Sequence, residues 1–504
     1  MDANQAYEQL VSLVKEAAVL GGIASLCGWD ERVYMPPGGA EGRAEQSSLL
    51  ARLIHERMTS PRIGELLGQV EASKLVADPL SDAAVNVREI RRSFDRATKL
   101  PAALVVEMAR TAVLAEHAWV EARKQSSFPK FLPWLEKTLD LKKQEAKCIG
   151  FADHPYDALL DDYEPGETTA NITRVFESLR EPLVQLIGQI MDSGKVAPID
   201  LLERHYPAAD QEKLARDAAA AVGFDFSAGR LDVTVHPFCT GIGPGDTRIT
   251  TRYDEHWFGD AFFGVLHETG HALYDQGLPK EHFGTPRADA VSLGIHESQS
   301  RLWENFVGRS RSFWEFFWPK TRQVFGATLD GVSLDQWVFA VNDVRPSFIR
   351  TEADEATYNL HVLLRFELET AMLAGDLAPR DVPDAWNQRM GKYLGITPPD
   401  DARGCLQDVH WSGGGIGYFP TYTLGNLYAA QFFEQARQDL GDLDGQFSQG
   451  EFSPLLGWLR EKIHGHGKRY RAAELVKVVT GRPLDAKPLL SHLRRKARDL
   501  YGVG

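Results

Sequence analysis

Cysteine is scarce in this chain. Four occur in 504 residues, at Cys27, Cys148, Cys239 and Cys405, far apart and without a Cys-x-x-Cys pair. That usage excludes a disulfide scaffold and points to a reducing, cytoplasmic setting. An excess of basic charge is also missing: 56 Lys and Arg stand against 70 Asp and Glu, a formal net charge of −14. No basic footprint is left for nucleic acid or an anionic membrane surface. Long hydrophobic runs are absent. The most apolar N-terminal stretch, Ala17–Gly28, covers about a dozen residues, too few to cross a bilayer. The residues before it include Asp2, Glu8, Lys15 and Glu16, not the basic start of a signal peptide. No Gly/Ser-rich or Pro-rich linker and no repeat of fixed period breaks the chain, so one domain over 1–504 is expected.

What the chain does have is helical periodicity. Tyr7, Leu10, Val11, Val14, Ala17 and Ala18 share one helical face. The same spacing predicts helices over Ala44–Arg57, Ala83–Thr98, Ala102–Gln125, Phe131–Gly150, Ile172–Ser193, Gln211–Val222, Ser333–Arg345 and Glu355–Ala374. It predicts others over Thr423–Leu440, Phe452–Ile463, Ala472–Thr480 and Leu489–Tyr501. One region departs from it. Leu231–His236 and Arg248–Tyr253 alternate apolar and polar residues around the turn-rich Thr240–Asp246, which reads as an antiparallel strand pair. The fold class expected is mainly α with a small β insert near 231–253.

Directly after that insert comes His267-Glu268-Thr269-Gly270-His271, inside the apolar helical stretch Phe258–Gln276. Residues i and i+4 lie about 40° apart around a helix, so both imidazoles project from one face and can share a Zn²⁺ ion. Glu268, next to the first histidine, can flank the metal and take a proton without being a ligand. Burying two histidines and a glutamate with no metal would cost several kcal/mol in unmet polar groups. A third ligand is needed. Glu297, on a second predicted helix over Val291–Val307, is the candidate. His296 is its rival, or a donor behind the ligands.

Several further polar residues stand in apolar surroundings. Arg350, in Ile349-Arg-Thr-Glu-Ala-Asp-Glu355, offers a fork of donors that suits a carboxylate. That carboxylate is either a ligand's or an internal one from Glu352, Asp354 or Glu355. Arg248 either clamps Asp246 or faces the cleft, and His236 ends the first strand. His410, Tyr418 and Tyr422 flank the glycine-rich Gly413–Gly417 and can donate to an oxyanion, or sit as hydrogen-bonded core aromatics. Phosphate cradling is the other use of such a loop, but this one has no lysine. His464-Gly-His466 reads as a solvated turn beside Lys468 and Arg469.

Taken in order, His236-Pro-Phe, Asp246-Thr-Arg-Ile-Thr, His267-Glu-Thr-Gly-His, His296-Glu-Ser-Gln, Ile349-Arg-Thr-Glu-Ala-Asp and Gly404-Cys-Leu-Gln-Asp-Val-His-Trp resemble the signature set of the carboxypeptidase Taq family of metallocarboxypeptidases. Trp29–Gly38 and Tyr156–Tyr163 are similar to that family too, so the resemblance covers essentially the whole chain. It implies a two-lobed helical fold with a deep groove, similar to neurolysin and angiotensin-converting enzyme. It also implies a homodimer, zinc with cobalt accepted, and removal of single residues from peptide C-termini with broad specificity. Carried over by motif, His267, His271 and Glu297 are metal ligands and Glu268 the catalytic glutamate. Arg350 falls in the motif that recognises the substrate end, while His410 and Tyr418 resemble transition-state stabilisers. An oligoendopeptidase or dipeptidyl-carboxypeptidase on the same fold is the nearest alternative, because only the distance from metal to carboxylate anchor separates them. A non-catalytic peptide-binding protein would have no use for Glu268. A structural zinc site would need a fourth protein ligand.

Overall fold

Polar caps open many of the helices and glycines close several of them. Ser81, Thr168, Ser292, Ser310 and Ser333 each accept a hydrogen bond from the first turn that follows. Gly375, Gly395, Gly481 and Gly502 end helices in the left-handed conformation. The computed structural model describes residues 2–504, and among them are twenty α-helices and one three-stranded sheet. The chain begins with α1 (Ala3–Val33), α2 (Ala40–Met58), α3 (Pro61–Glu71), α4 (Asp82–Lys99), α5 (Ala102–Lys124) and α6 (Phe128–Ile149). It continues with α7 (Pro155–Leu160), α8 (Thr169–Asp192), α9 (Ala208–Ala221), β1 (Gly229–Val233), β2 (Cys239–Gly243) and β3 (Asp246–Thr251). Then come α10 (Phe258–Gly277), α11 (Leu293–Arg301), α12 (Arg311–Val324), α13 (Leu334–Ala340), α14 (Thr357–Ala374), α15 (Val382–Leu394) and α16 (Pro420–Leu440). Last are α17 (Leu443–Ser448), α18 (Ser453–Lys462), α19 (Ala472–Thr480) and α20 (Lys487–Tyr501).

The expected helices are present, while α3, α7, α12, α15 and α17 lie where none was expected. Two of the expected helices differ in extent. The helix expected over Ser333–Arg345 stops at Ala340. The one expected over Val291–Val307 is α-helical only to Arg301 and widens into a π-helical turn, Leu302–Gly308.

The sheet corrects the expected strand pair. β1 and β3 are neighbours, but parallel, with Leu231 opposite Ile249. The segment read as a turn is itself β2, which runs antiparallel to β3 and gives the order β1-β3-β2. Its glycines serve close approach rather than a wide turn. A Cβ on Gly241 would stand 3.3 Å from Asp275 Oδ2, and Gly22 of α1 lies against the Ile242 carbonyl. The reversal is confined to Pro244-Gly245, where Gly245 has φ +84°.

By length and apolar composition α1 is a helix that could cross a membrane. Here it packs on α2, α3 and β2 and buries Ala6, Leu10, Val14, Ala17 and Trp29. The N-terminal helices also have a small core of their own, formed by Ala6, Leu10, Val14, Ile63, Leu66, Leu67, Val70, Val87 and Ile90, apart from the main one.

The main core brings three helices together where the motifs are. α11 lies between α10 and α16, and glycines stand at both crossings. A Cβ on Gly270 would come within 2.5 Å of the Gln299 carbonyl and the Ser300 Cα, and one on Gly425 within 2.5 Å of Glu297 Cγ. Backbone therefore approaches backbone at these two points, which sets Glu297 against the histidine pair.

Candidate metal centre and its surroundings

His267 and His271 leave one face of α10, and Glu297 reaches them from α11. Glu297 Oε2 is 3.6 Å from His267 Nε2 and 3.4 Å from His271 Nε2. One donor atom from each residue lies within 4.8 Å of the others. Tetrahedral ligands about 2.0–2.2 Å from a zinc-sized ion are spaced about 3.3–3.6 Å from one another, so this donor set fits a divalent metal. The far side of each ligand is held. His267 Nδ1 is 2.9 Å from Glu304 Oε2, and His271 Nδ1 is 2.6 Å from His296 Nδ1. Arg301 donates to Glu297 Oε1 at 2.7 Å and to Glu304 Oε2 at 3.3 Å. His296, the rival ligand, has its second nitrogen 3.0 Å from Asp275 Oδ1, so neither nitrogen is left for a metal.

Charge tunes these groups. Burial lowers His271 to about 4 and leaves it neutral, as a ligand must be. Burial alone would lower His267 too, but Glu297 and Glu304 outweigh it and raise the ring. Burial would raise Glu297, yet Arg301 and the histidines hold it well below the carboxylate range. Among the described residues no cationic side chain is bonded to Glu268. Burial, with Glu297 adding, pushes it up to about 7, a value suited to taking and returning a proton near neutrality.

Glu164 supports α11 from below. It is buried and accepts from the Gly294 amide and the Tyr428 hydroxyl, at the first turn of the helix. Burial pushes it up to about 8.

Arg350 is buried beside the site, and it is ion-paired. The partner is none of the three acids expected. Arg350 Nε and Nη2 donate to Asp408 Oδ1 at 3.1 and 2.8 Å, and Nη1 donates to the Tyr358 hydroxyl at 2.9 Å. Glu355 instead meets His492 and Lys496, and Asp354 accepts from the Thr357 amide and hydroxyl at the start of α14. Arg365 donates to the other Asp408 oxygen at 2.6 Å. Two buried guanidiniums thus share one carboxylate, an excess of one positive charge. The cluster connects to the metal donors, because Arg301 stacks on Tyr358 at 4.5 Å.

His410 and the two tyrosines form one aromatic group against it. His410 Nε2 is 3.3 Å from the Tyr422 hydroxyl, and its ring is 5.3 Å from Tyr418. Tyr422 lies 4.9 Å under the Arg350 guanidinium. Burial lowers His410 to about 4. The glycine-rich loop is pinned by buried Glu369, which accepts from Tyr156, Trp411 and the Gly417 amide.

Arg248 and His236 are not drawn into this group. Arg248 clamps Asp246 through two bonds of 2.9 and 2.8 Å and stacks on Trp29 at 4.1 Å. His236 is exposed between β1 and β2. The reading of His464-Gly-His466 as a solvated turn is overturned for His464. It is fully buried, 2.9 Å from Gln299 and packed on Tyr274, because Gly277 leaves room for its ring.

Sequence reasoning did not single out Asp408, Arg365, Tyr358, Glu304, Asp275 or Glu164. Some signal was available: Glu304 is seven residues, two helical turns, beyond Glu297, and Asp275 is one turn beyond His271.

Comparison with known proteins agrees over the whole length. A family model described as carboxypeptidase Taq (M32) metallopeptidase matches residues 9–497. Thermostable carboxypeptidase 1 of Thermus thermophilus is 52% identical over 512 residues, covering 100% of both chains. Carboxypeptidase 1 of Bacillus subtilis is 39% identical, covering 99% of this chain and 100% of its own. The crystal structure of the M32 carboxypeptidase from Deinococcus radiodurans superposes with a TM-score of 0.96 at 43% identity, over 99% of this chain and 100% of that one. A whole-length family match, whole-length structural likeness and a donor set of metal-binding geometry lead to one conclusion: the chain belongs to the carboxypeptidase Taq (M32) metallopeptidase family.

Proposed function

We propose that this metal-dependent carboxypeptidase removes one residue at a time from peptides of varied sequence, with zinc held by His267, His271 and Glu297 and with Glu268 as the proton carrier. Cobalt is the substitute expected to be accepted, since the same nitrogen and oxygen donors suit it. When bound, such an ion supplies Lewis acidity, polarising the scissile carbonyl and acidifying water. Glu268 takes the proton from the attacking water and delivers it to the leaving nitrogen. Tyr418, Tyr422 and His410 are the donors assigned to the oxyanion. The substrate's terminal carboxylate docks at Arg350. Its guanidinium has three N–H groups engaged by protein, with two remaining of its five.

The observation that carries this reading is the uncompensated positive charge of Arg350 and Arg365 on Asp408, linked to the metal donors through Arg301 and Tyr358. A buried cation in excess is relieved by an incoming anion, and a C-terminus is such an anion. Mass spectrometry of one peptide, as free acid and as C-terminal amide, with and without chelator, tests it. A one-residue ladder from the acid, an intact amide and no cleavage under chelator are expected. Internal cuts in the amide would make the protein an endopeptidase.

The wider expectations belong to the same proposal. A single peptidase unit of two helical lobes around a groove, like neurolysin and angiotensin-converting enzyme, is supported by the separate N-terminal core. A homodimer is supported by apolar side chains exposed on α1, α2 and α5, among them Val19, Ile23, Leu49, Val106 and Val113; sedimentation would test it. A cytoplasmic setting, away from nucleic acid and membrane, is supported by the acidic balance and four unpaired cysteines.

A further inference from the structure

We infer that His296 and Asp275 are positioning residues that fix the tautomer of His271 through a directed His–His–Asp relay, and so set the metal affinity of the site. The inference rests on the reading of His267, His271 and Glu297 as a metal site.

The two histidine ligands are supported unequally. His267 meets a carboxylate directly, Glu304. His271 meets another imidazole, and only behind that a carboxylate. Each neutral imidazole has one N–H and one lone pair, so the order of protons along the chain is determined. His271 must turn the lone pair of Nε2 toward Glu297 and the metal, so its proton is on Nδ1. That N–H donates across 2.6 Å to His296 Nδ1, which must then be an acceptor. The proton of His296 is therefore on Nε2, from which it donates to Asp275 Oδ1 at 3.0 Å. The alternative order places a proton on His296 Nδ1 and drives the His271 proton onto Nε2, where it blocks the metal. Asp275 at the outer end is what selects the productive order, since a carboxylate accepts and cannot donate. The rings are held for this. His296 and His271 have centroids 4.5 Å apart and an interplanar angle of only 23°, so the donor N–H and the acceptor lone pair lie close to one plane, and Tyr274 packs against His296 at 5.4 Å.

Asp275 borders a cavity of about 790 Å³ between α1, β2 and the end of α10, so truncating it opens no void in the core. The test compares the parent with Asp275→Ala and Asp275→Asn by competition for Zn²⁺ with a chromophoric chelator. ¹⁵N-histidine NMR reports the His271 tautomer, and unfolding of the metal-free proteins serves as the structural control. Loss of an outer partner of a metal-bound histidine costs about 10- to 100-fold in affinity. Asp275→Ala should show that loss, with mixed His271 tautomers and unchanged unfolding. Asp275→Asn keeps an acceptor oxygen and should lie between parent and Ala. If Asp275→Ala does not fold, the Asn variant decides by the same readouts. Affinity within twofold of the parent, or weakened affinity with the His271 tautomer unchanged, overturns the relay. A parent that does not bind one Zn²⁺ overturns the metal-site reading itself, which the variants' behaviour cannot do.

Discussion

The metal donors and the arginine cluster around Asp408 are both buried and polar, but they are built on different terms. His267, His271 and Glu297 converge on one point, and their outer atoms are held by Glu304, His296 and Arg301. The donor atoms all face one point, at the mutual spacing a divalent cation requires. Around Asp408 the balance is reversed: two arginines hold one carboxylate. The two regions are thus poised for opposite charges, joined by Arg301 stacked on Tyr358. Identical residue types would be inert structural pairs if each charge had one partner; stoichiometry makes the difference.

The largest expected effect separates chemistry from metal binding. Glu268→Gln keeps the shape but cannot carry the proton, and should lower kcat by about 10²–10⁴-fold while metal stays bound. More than half the parent rate at full metal content would remove Glu268 from the mechanism. Glu297→Ala should strip the metal on dialysis, because two histidines leave the ion under-coordinated; metal analysis that finds one ion per chain would break the first half of the comparison. Arg350→Ala probes the second half. Losing a charge-assisted contact of about 1.5–3 kcal/mol should cut kcat/KM on free-acid peptides about ten- to hundred-fold, with little change on amides. Stability should fall as well, since Asp408 loses one of two buried partners, so the acid-to-amide ratio is the decisive quantity. Equal losses on both substrates would make the cluster purely structural.

The support beneath α11 bears on stability and not on turnover. Glu164 titrates at about 8 in the folded protein and near about 4.3 when unfolded. The folded state therefore holds this proton more tightly. The stability it contributes is complete below pH about 4 and is lost as pH rises toward 8, by at most about 1.4 kcal/mol per pH unit. In Glu164→Gln that slope should vanish. Denaturant unfolding at pH 5 and pH 8 should then show a smaller difference than in the parent, and an equal difference would place the buried proton elsewhere.

Much of this was legible in one dimension where the reporting residues are neighbours in sequence. The i, i+4 histidines need only a helix to share a face, and Glu268 flanks them by following the first. Helix positions followed from apolar spacing because most helices rest one stripe on the core. The strand region was recognised by alternation, but its pairing was not. Alternation looks the same in parallel and antiparallel neighbours, and the glycines of β2 imitate a turn. Arg350 was recognised as needing a carboxylate, but its partner lies 58 residues on, beyond the three neighbouring acids expected.

By itself the sequence determined the helical class, the family and the placing of His267, Glu268 and His271 on one helix, because each depends on short spacings that backbone geometry converts directly into proximity. The tertiary structure alone decided which acid meets which base. The crossings at Gly270 and Gly425 bring α10, α11 and α16 within backbone contact. That packing puts Glu304 behind His267 and Asp275 behind His296, while the loop before α16 lays Asp408 against Arg350 and against Arg365 of α14. Charge pairing falls off within a few ångströms, whereas separation along the chain places no such limit on which groups meet.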